Sequence, residues 1–244
     1  MILRFIGSDG SMGLRHGLTY NARITSNCSY IIASFYNGKD FLSCPYSSPQ
    51  SFAANWEGLN IKQRRWCLIL NLYKYTDKEI EQIVKSITIL VDTREKENSH
   101  ITEWLTKKKI PFKTKALSNG DYSFFIPANE SLNIERDLYF DHEIMIERKA
   151  SLDELSGNFT QNRTRFEEEM ATFSGKKYLM IENANYEDVI NGNYKTKFSN
   201  KAFLASLHAF NHRYDLQITF MPNRDVSGYY IYGVFTYFLR NLLR

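Results

Sequence analysis

A chain of 244 residues is long enough for one large domain, or for a medium domain with a small companion. Its 43% hydrophobic and 24% charged residues exclude a mainly disordered chain, and 12 Gly with 5 Pro exclude a collagen-like or long linker segment. The net charge of +4, from 31 basic against 27 acidic residues, permits nucleic-acid binding without arguing for it. The longest nearly apolar run, 229–239, is shorter than the roughly 20 residues of a membrane span, so no membrane association is expected. The N-terminus has Arg4 early and lacks a signal-peptide core. Cys28, Cys44 and Cys67 lie far apart without paired metal spacing, which fits free thiols in a reducing, cytoplasmic setting.

Residues 1–57 are expected to form a small all-β domain. Short alternating runs at 2–6, 20–24 and 30–35 are separated by turn signals at Asp9-Gly10, Arg15-His16-Gly17 and Asn37-Gly38. Ser48-Pro49 then predicts a helical turn carrying Phe52, Ala53 and Trp56. Gly-Ser-Asp-Gly-Ser-Met-Gly-Leu at 7–14 and Cys-Pro-Tyr-Ser-Ser-Pro at 44–49 resemble small SH3-like barrel proteins common in phages and mobile elements. That resemblance carries no chemistry.

Residues 58–85 are a join. The stretch 61–75 holds Arg64-Arg65 in a mixed apolar pattern open to strand or helix. Thr76 with Glu79 is a capping box, followed by Ile80, Ile83 and Val84 at helical spacing. From Ser86 to residue 244 strands alternate with helices. Strands are predicted at 87–91, 122–126, 143–146, 178–181 and 216–220. A helix starts at Ser99 and runs through Trp104 and Leu105. Ser151 with Glu154 opens another, interrupted near Gly157 and resumed near Arg163. Ser199 caps a helix bearing Phe203, Leu204, Leu207 and Phe210, and 226–243 is a strongly apolar final helix. The alternation predicts an α/β sheet with helices on both faces.

Chemistry concentrates where acids meet predicted strand ends. Asp92 follows the buried run 87–91 in Val-Asp-Thr-Arg-Glu. Asp121 lies in Asn-Gly-Asp-Tyr, with Gly120 relaxing the backbone. Glu147 ends Ile-Met-Ile and is followed by Arg148, Lys149 and, further on, Asp153. Side chains alternate along a strand, so Glu147 and Lys149 share one face and Arg148 takes the other. Carboxylates that hold Mg²⁺ beside an ammonium suit metal-assisted phosphodiester cleavage. The blander alternative is also open: Asp92 and Asp121 could cap turns, and the charges after Glu147 could be a solvated run.

Val-Asp-Thr-Arg-Glu (91–95), Gly-Asp-Tyr (120–122), Glu-Arg-Lys-Ala-Ser-Leu-Asp (147–153) and Arg165-Phe166 look like the nuclease domain of XPF-type structure-specific endonucleases. That family's signature, Gly-Asp, a variable gap, Glu-Arg-Lys, three residues and Asp, is met by Gly120, Asp121, Glu147, Arg148, Lys149 and Asp153. Over residues 87–240 the resemblance implies a restriction-endonuclease-like mixed sheet flanked by helices. It implies Asp121 and Glu147 as the main metal ligands for Mg²⁺ or Mn²⁺, with Asp92 as the third ligand completing the acidic site, and Lys149 as catalytic. Arg94, Glu95, Arg148, Asp153 and Arg165 would support the site. The partner implied is DNA, branched or flapped, in repair, recombination or phage DNA processing. Family nuclease domains pair, and the aromatic 226–243 helix suggests a homodimer through that face. The family's paired helix-hairpin-helix domain has no Gly-rich signature after residue 200. No Gly-rich phosphate loop appears, so no nucleotide cofactor is expected. Glu167-Glu168-Glu169 reads as a solvated helix face, and the five histidines show no ligand spacing. The alternative function is a DNA-binding scaffold with a decayed nuclease fold; an intact acidic trio with Lys149 argues against it.

Overall fold

The computed structural model describes residues 2–8, 14–26, 31–36, 41–47, 52, 54–58 and 74–244. It divides into two units, residues 1–74 and 75–244. In the first, β1 (Ile2–Phe5), β2 (Thr19–Ser26), β3 (Ile31–Tyr36), β4 (Phe41–Tyr46) and β5 (Trp56–Gly58) form one antiparallel sheet in the order β4-β3-β2-β1-β5. Phe5, Leu14, Phe35, Phe52 and Trp56 are buried together in its core. Trp56, expected on a helical turn, lies instead in β5, opposite Phe5. Its ring meets Phe5 edge-on at 5.1 Å, and its Nε1 donates to the Tyr46 hydroxyl at 2.7 Å. Burying both the indole surface and its one donor favours this placement over a local helical preference. The expected turns at 9–10 and 37–38, the helix start at 48–49, Cys28, Cys67 and Arg64-Arg65 lie outside the described residues, as does part of the 7–14 motif.

The second unit opens with α1 (Asp77–Lys85), placed by the sequence in the joining segment. Its capping box is formed: Glu79 N donates to Thr76 Oγ1 at 3.3 Å and Thr76 N to Glu79 Oε2 at 2.7 Å. Such a cap stabilises a helix by about 1 kcal/mol. The chain continues through β6 (Thr88–Val91), α2 (Ser99–Lys107), β7 (Phe112–Thr114), β8 (Tyr122–Ile126), β9 (Leu138–Tyr139), β10 (Ile144–Lys149), α3 (Leu152–Phe159) and α4 (Arg163–Thr172). It ends with β11 (Lys176–Glu182), α5 (Tyr186–Asn191), α6 (Asn200–Tyr214), β12 (Leu216–Met221) and α7 (Ser227–Leu243).

These strands make a seven-stranded mixed sheet, β12-β11-β10-β8-β6-β7, with β9 added on β8. β10, β11 and β12 run parallel, as do β6 and β7, while β8 is antiparallel to both β6 and β10. The expected mixed α/β sheet with flanking helices is thus the observed architecture. Short β7 and β9 and helix α5 are additions. β7 is exposed at all three residues, so no buried alternation marks it in the sequence. Gly157 does not interrupt α3, which runs on to Phe159; the break falls at 160–162.

Two cores fix the sheet. On one side Leu155, Phe159, Phe166, Phe203 and Phe210 pack with Leu179 and Ile181 of β11. On the other, Phe124 stacks on Phe140 at 4.5 Å and meets Phe235 of α7 at 5.2 Å. Each fully buried Phe contributes about 1.5–3 kcal/mol. Helix α7 approaches α2 closely at Gly228, where a Cβ would lie 2.9 Å from the Trp104 ring. Among the described residues, no helix is long and apolar enough to cross a membrane.

Candidate active site

Central β8 brings three acids to one edge of the sheet. Val91 of β6 and Ile146 of β10 both pair with Tyr122. One residue along, Asp92 N donates to Asp121 O at 2.8 Å and Asp121 N to Ile146 O at 2.9 Å. Asp92, Asp121 and Glu147 therefore sit side by side on neighbouring strands. Gly120 turns the chain into β8 at φ +69°, where a Cβ would also fall 2.9 Å from that of Met145. Only glycine meets both demands.

Glu147 lies within β10 rather than at its end, and the strand's alternation sorts the charges that follow. On the front face, Lys149 Nζ donates to Glu147 Oε1 at 2.6 Å, lies 3.7 Å from Glu154 Oε1, and sits 5.3 Å above the Phe166 ring. Glu147 and Lys149 are only 5% and 6% exposed. Asp121 Oδ2 accepts from Arg148 N at 2.8 Å. Burial, and then the charge of Glu147, push the Asp121 carboxyl well above the usual range against the pull of the Arg148 amide and Lys149. Burial also raises Glu147; Lys149 offsets this in part and the charge of Glu169 adds to it. For Lys149, burial disfavours the ammonium, but the charge of Glu147, their hydrogen bond, and the charges of Glu154 and Asp121 prevail, holding it above the ordinary lysine value.

Asp92 is differently employed. It is 1% exposed. Its Oδ1 accepts from Leu117 N at 3.1 Å, and its Oδ2 pairs with Arg94 Nε. Arg94 in turn donates to Leu117 O at 3.2 Å. Both Asp92 oxygens thus brace the loop ahead of β8.

Arg148 points to the back face, as the alternation requires. Its Nη1 donates to Glu95 Oε1 at 3.1 Å and its Nη2 to Glu182 Oε2 at 2.7 Å, while His100 Nε2 lies 2.8 Å from Glu182 Oε1. Burial opposes the Glu182 charge, but hydrogen bonds from Arg148 and His100 outweigh it and hold that carboxyl below the usual range. Burial raises Glu95, with Arg148 opposing. Glu95 and Arg148 therefore support the acidic edge from behind.

Asp153 is turned elsewhere: its Oδ1 accepts from Lys195 N at 2.6 Å and Thr196 N at 3.2 Å. Arg165 is exposed on α4, with no ion-pair partner among the described residues. Three participants were not expected. Glu182 and His100 complete the back-face network, and Glu169, read as solvated, accepts from Gly120 N at 3.2 Å. Glu182 carried the same signal as Asp92, an acid directly after a buried strand. Glu169 carried none, because only the packing of α4 against the 119–120 turn brings it close.

Asp121 and Glu147 suit a hard divalent cation. Two buried carboxylates raise each other's cost of ionisation, a repulsion that a bound Mg²⁺ or Mn²⁺ relieves. Asp92, whose oxygens also accept from Leu117 N and pair with Arg94 Nε, stands beside this pair.

The ERCC4 domain family model matches residues 91–234, which include every residue of this site. Two solved structures of XPF from Aeropyrum pernix are similar. One is 17% identical over 61% of this chain and 59% of that chain, with a TM-score of 0.43. The other, a complex with DNA, is 18% identical over 64% of each chain, with a TM-score of 0.45. This chain spans less than two thirds of the length of either. Comparison with curated proteins finds no match. Nothing in these comparisons supports the SH3-like resemblance of residues 1–57; the family match begins beyond them.

Proposed function

The chain belongs to the ERCC4 domain family, whose nuclease fold it carries, and on that premise we propose that it is a divalent-metal-dependent endonuclease that hydrolyses DNA phosphodiester bonds. The observation that carries this reading is the pairing of Glu147 with Lys149 at 2.6 Å beside Asp121, at an edge where burial and a neighbouring acid both disfavour the ionised carboxylate. Asp121 and Glu147 would hold the cation. When bound, Mg²⁺ or Mn²⁺ polarises a phosphoryl oxygen and acidifies a water. Glu147 beside Lys149 holds its ammonium above the ordinary lysine value. On this reading Lys149 acts as a positive charge on the developing phosphorane. Arg148 and Asp92 hold the strand ends that aim these groups.

Lys149→Ala is expected to lose roughly 10²–10³ in turnover, the scale of a lost transition-state charge contact. Metal affinity measured by calorimetry is retained. Lys149→Arg restores activity only in part, since a planar guanidinium does not replace a compact ammonium. A variant that loses metal and activity together makes Lys149 a structural partner of the acids instead. The parent assay compares flap, fork, four-way and linear duplex DNA with Mg²⁺ and with EDTA. Metal-dependent cutting is expected, strongest on branched DNA. Binding without cutting in every arm leaves the scaffold alternative.

The branched preference rests on a second copy. Outer residues of α7 remain open, with Tyr229 70% and Tyr237 68% exposed. Beside them lies a groove of about 740 Å³ lined by Tyr178, Tyr230, Val234 and Phe238 among others. A symmetric partner covering this face would add a second DNA-binding surface, and so a second duplex arm. Light scattering is expected to give a dimer for the parent and a monomer for Tyr229→Glu/Tyr237→Glu; a monomeric parent overturns the pairing.

A further inference from the structure

We propose that the loop Lys195-Thr196-Lys197 is a preformed grip for the DNA phosphate backbone, and that Asp153 is the positioning residue that holds it beside the active edge. The proposal builds on the nuclease reading but names a binding element and a role for Asp153 which that reading does not contain.

Six contacts pin the loop. Asp153 Oδ1 takes two successive backbone amides, Lys195 N and Thr196 N, at 2.6 and 3.2 Å. Thr196 Oγ1 lies 2.9 Å from the buried Ser156 Oγ. On one side Tyr194 packs edge-on against Phe203 at 5.1 Å; on the other Phe198 meets the same ring at 5.6 Å. The Tyr194 hydroxyl closes the span by donating to Phe198 O at 2.8 Å. With both flanking aromatics packed on the core and its amides engaged, the backbone presents no anion-binding N–H at Lys195 or Thr196. What it offers outward is charge. Lys195 and Lys197 are exposed, and neither has an ion-pair partner among the described residues. Both side chains rise from a backbone that is already held, so the loop itself need not become ordered when they meet a ligand.

Position decides the ligand. Asp153 stands in the first turn of α3, four residues after Lys149, and Asn183 ties the adjoining Ala150 O to the end of β11 at 3.1 Å. Arg165, exposed and unpaired among the described residues, precedes the Phe166 ring that lies under Lys149. Three exposed cations thus stand on segments next to side chains that contact Lys149: Arg165 precedes Phe166, and Lys195 and Lys197 sit on the loop held by Asp153, the neighbour of Glu154. A polyanion whose backbone must approach a pair of buried carboxylates needs flanking positive charge, and a regularly charged phosphate chain fits cations spread over these segments. The Ala-Ser-Leu-Asp spacing after Lys149 then has a physical sense: it sets the anchor at the start of α3, directly beyond the strand that carries the reacting groups.

The test measures DNA binding without cutting, by fluorescence anisotropy of a labelled duplex with the full chain in EDTA across a salt series. Lys195→Ala/Lys197→Ala is expected to bind roughly tenfold more weakly at low salt, with the salt slope reduced by about 1 per lysine. Asp153→Ala should weaken binding in the same direction and add little to the double lysine variant, since both act through one loop. Asp153→Asn should bind close to the parent, because an amide oxygen still accepts from both amides. In cleavage with Mg²⁺, the lysine variant should raise KM with a much smaller effect on kcat. Parent-like affinity and salt slope in the lysine variant overturns the grip. An Asp153→Asn variant that binds normally but loses turnover moves Asp153 into the chemistry and overturns its positioning role. A parent that binds DNA but never cuts it sinks the nuclease reading alone, because the grip is read from binding.

Discussion

Asp121→Asn is expected to lower cleavage by at least about a thousandfold, since a metal's contribution of several kcal/mol to the transition state is tenfold for each 1.4 kcal/mol. The metal-free fold of the same variant should be as stable as the parent or more so. The Asp121 carboxyl has its pKa raised, by burial and by the charge of Glu147. Its unfolded value is near 3.9. Above that pH the unfolded chain has released the proton while the folded chain still holds it. Asp121 therefore contributes less and less stability as pH rises from its unfolded to its folded pKa, and at higher pH it is a constant penalty. Asparagine removes the ionisation and keeps the oxygen that accepts from Arg148 N. Thermal melts in EDTA from pH 4 to 8 should show the parent falling relative to Asp121→Asn as pH rises. Excess Mg²⁺ should raise the parent's melting temperature and not that of the variant. A variant that cuts like the parent removes Asp121 from the site.

Glu182→Ala is expected to be the most damaging single change to stability outside the aromatic cores. It leaves the buried Arg148 guanidinium with only Glu95 as carboxylate partner and strands His100. Breaking a buried pair from one side costs about 3–5 kcal/mol, because the remaining charge is uncompensated. For a unit of this size each kcal/mol is worth roughly 2–4 °C, so the melting temperature should drop by on the order of 10 °C. Glu182→Gln, which keeps the volume and one acceptor, should cost less. The Glu182 carboxyl is held below the usual range, so its contribution is fully present above the unfolded pKa and is lost as pH falls through the folded one. Acid should therefore narrow the gap between parent and Glu182→Ala. A parent-like melt for Glu182→Ala would mean that Glu95 alone satisfies Arg148.

Helices were legible where their signals are local. Thr76 with Glu79, Ser151 with Glu154 and Ser199 cap α1, α3 and α6 through hydrogen bonds spanning three residues, and a three-residue relation is visible in the chain. The acids at strand ends were legible for a related reason: a charge emerging abruptly from a buried run marks the edge of a sheet before its topology is known. Trp56 misled because Ser48-Pro49 is a sound helix opening, whereas the partners that hold Trp56 in β5 come from β1, β2, β3 and β4.

By itself the sequence determined which residues are acid, cation or aromatic and at what spacing, and so the alternation that puts Glu147 and Lys149 on one face and Arg148 on the other. Side-chain direction along a strand is a property of the backbone and needs no distant partner. Tertiary structure alone decided what each charge meets. Glu182 reaches Arg148 across 34 residues because β10 and β11 pair in parallel, and Glu169 reaches Gly120 across 49 because α4 folds back over the turn into β8. Asp153 and Lys195, 42 residues apart, meet only because α3 and the loop before α6 pack on the same aromatic core. Electrostatic energy depends on distance and burial, and both are set by strand register and helix packing rather than by position along the chain.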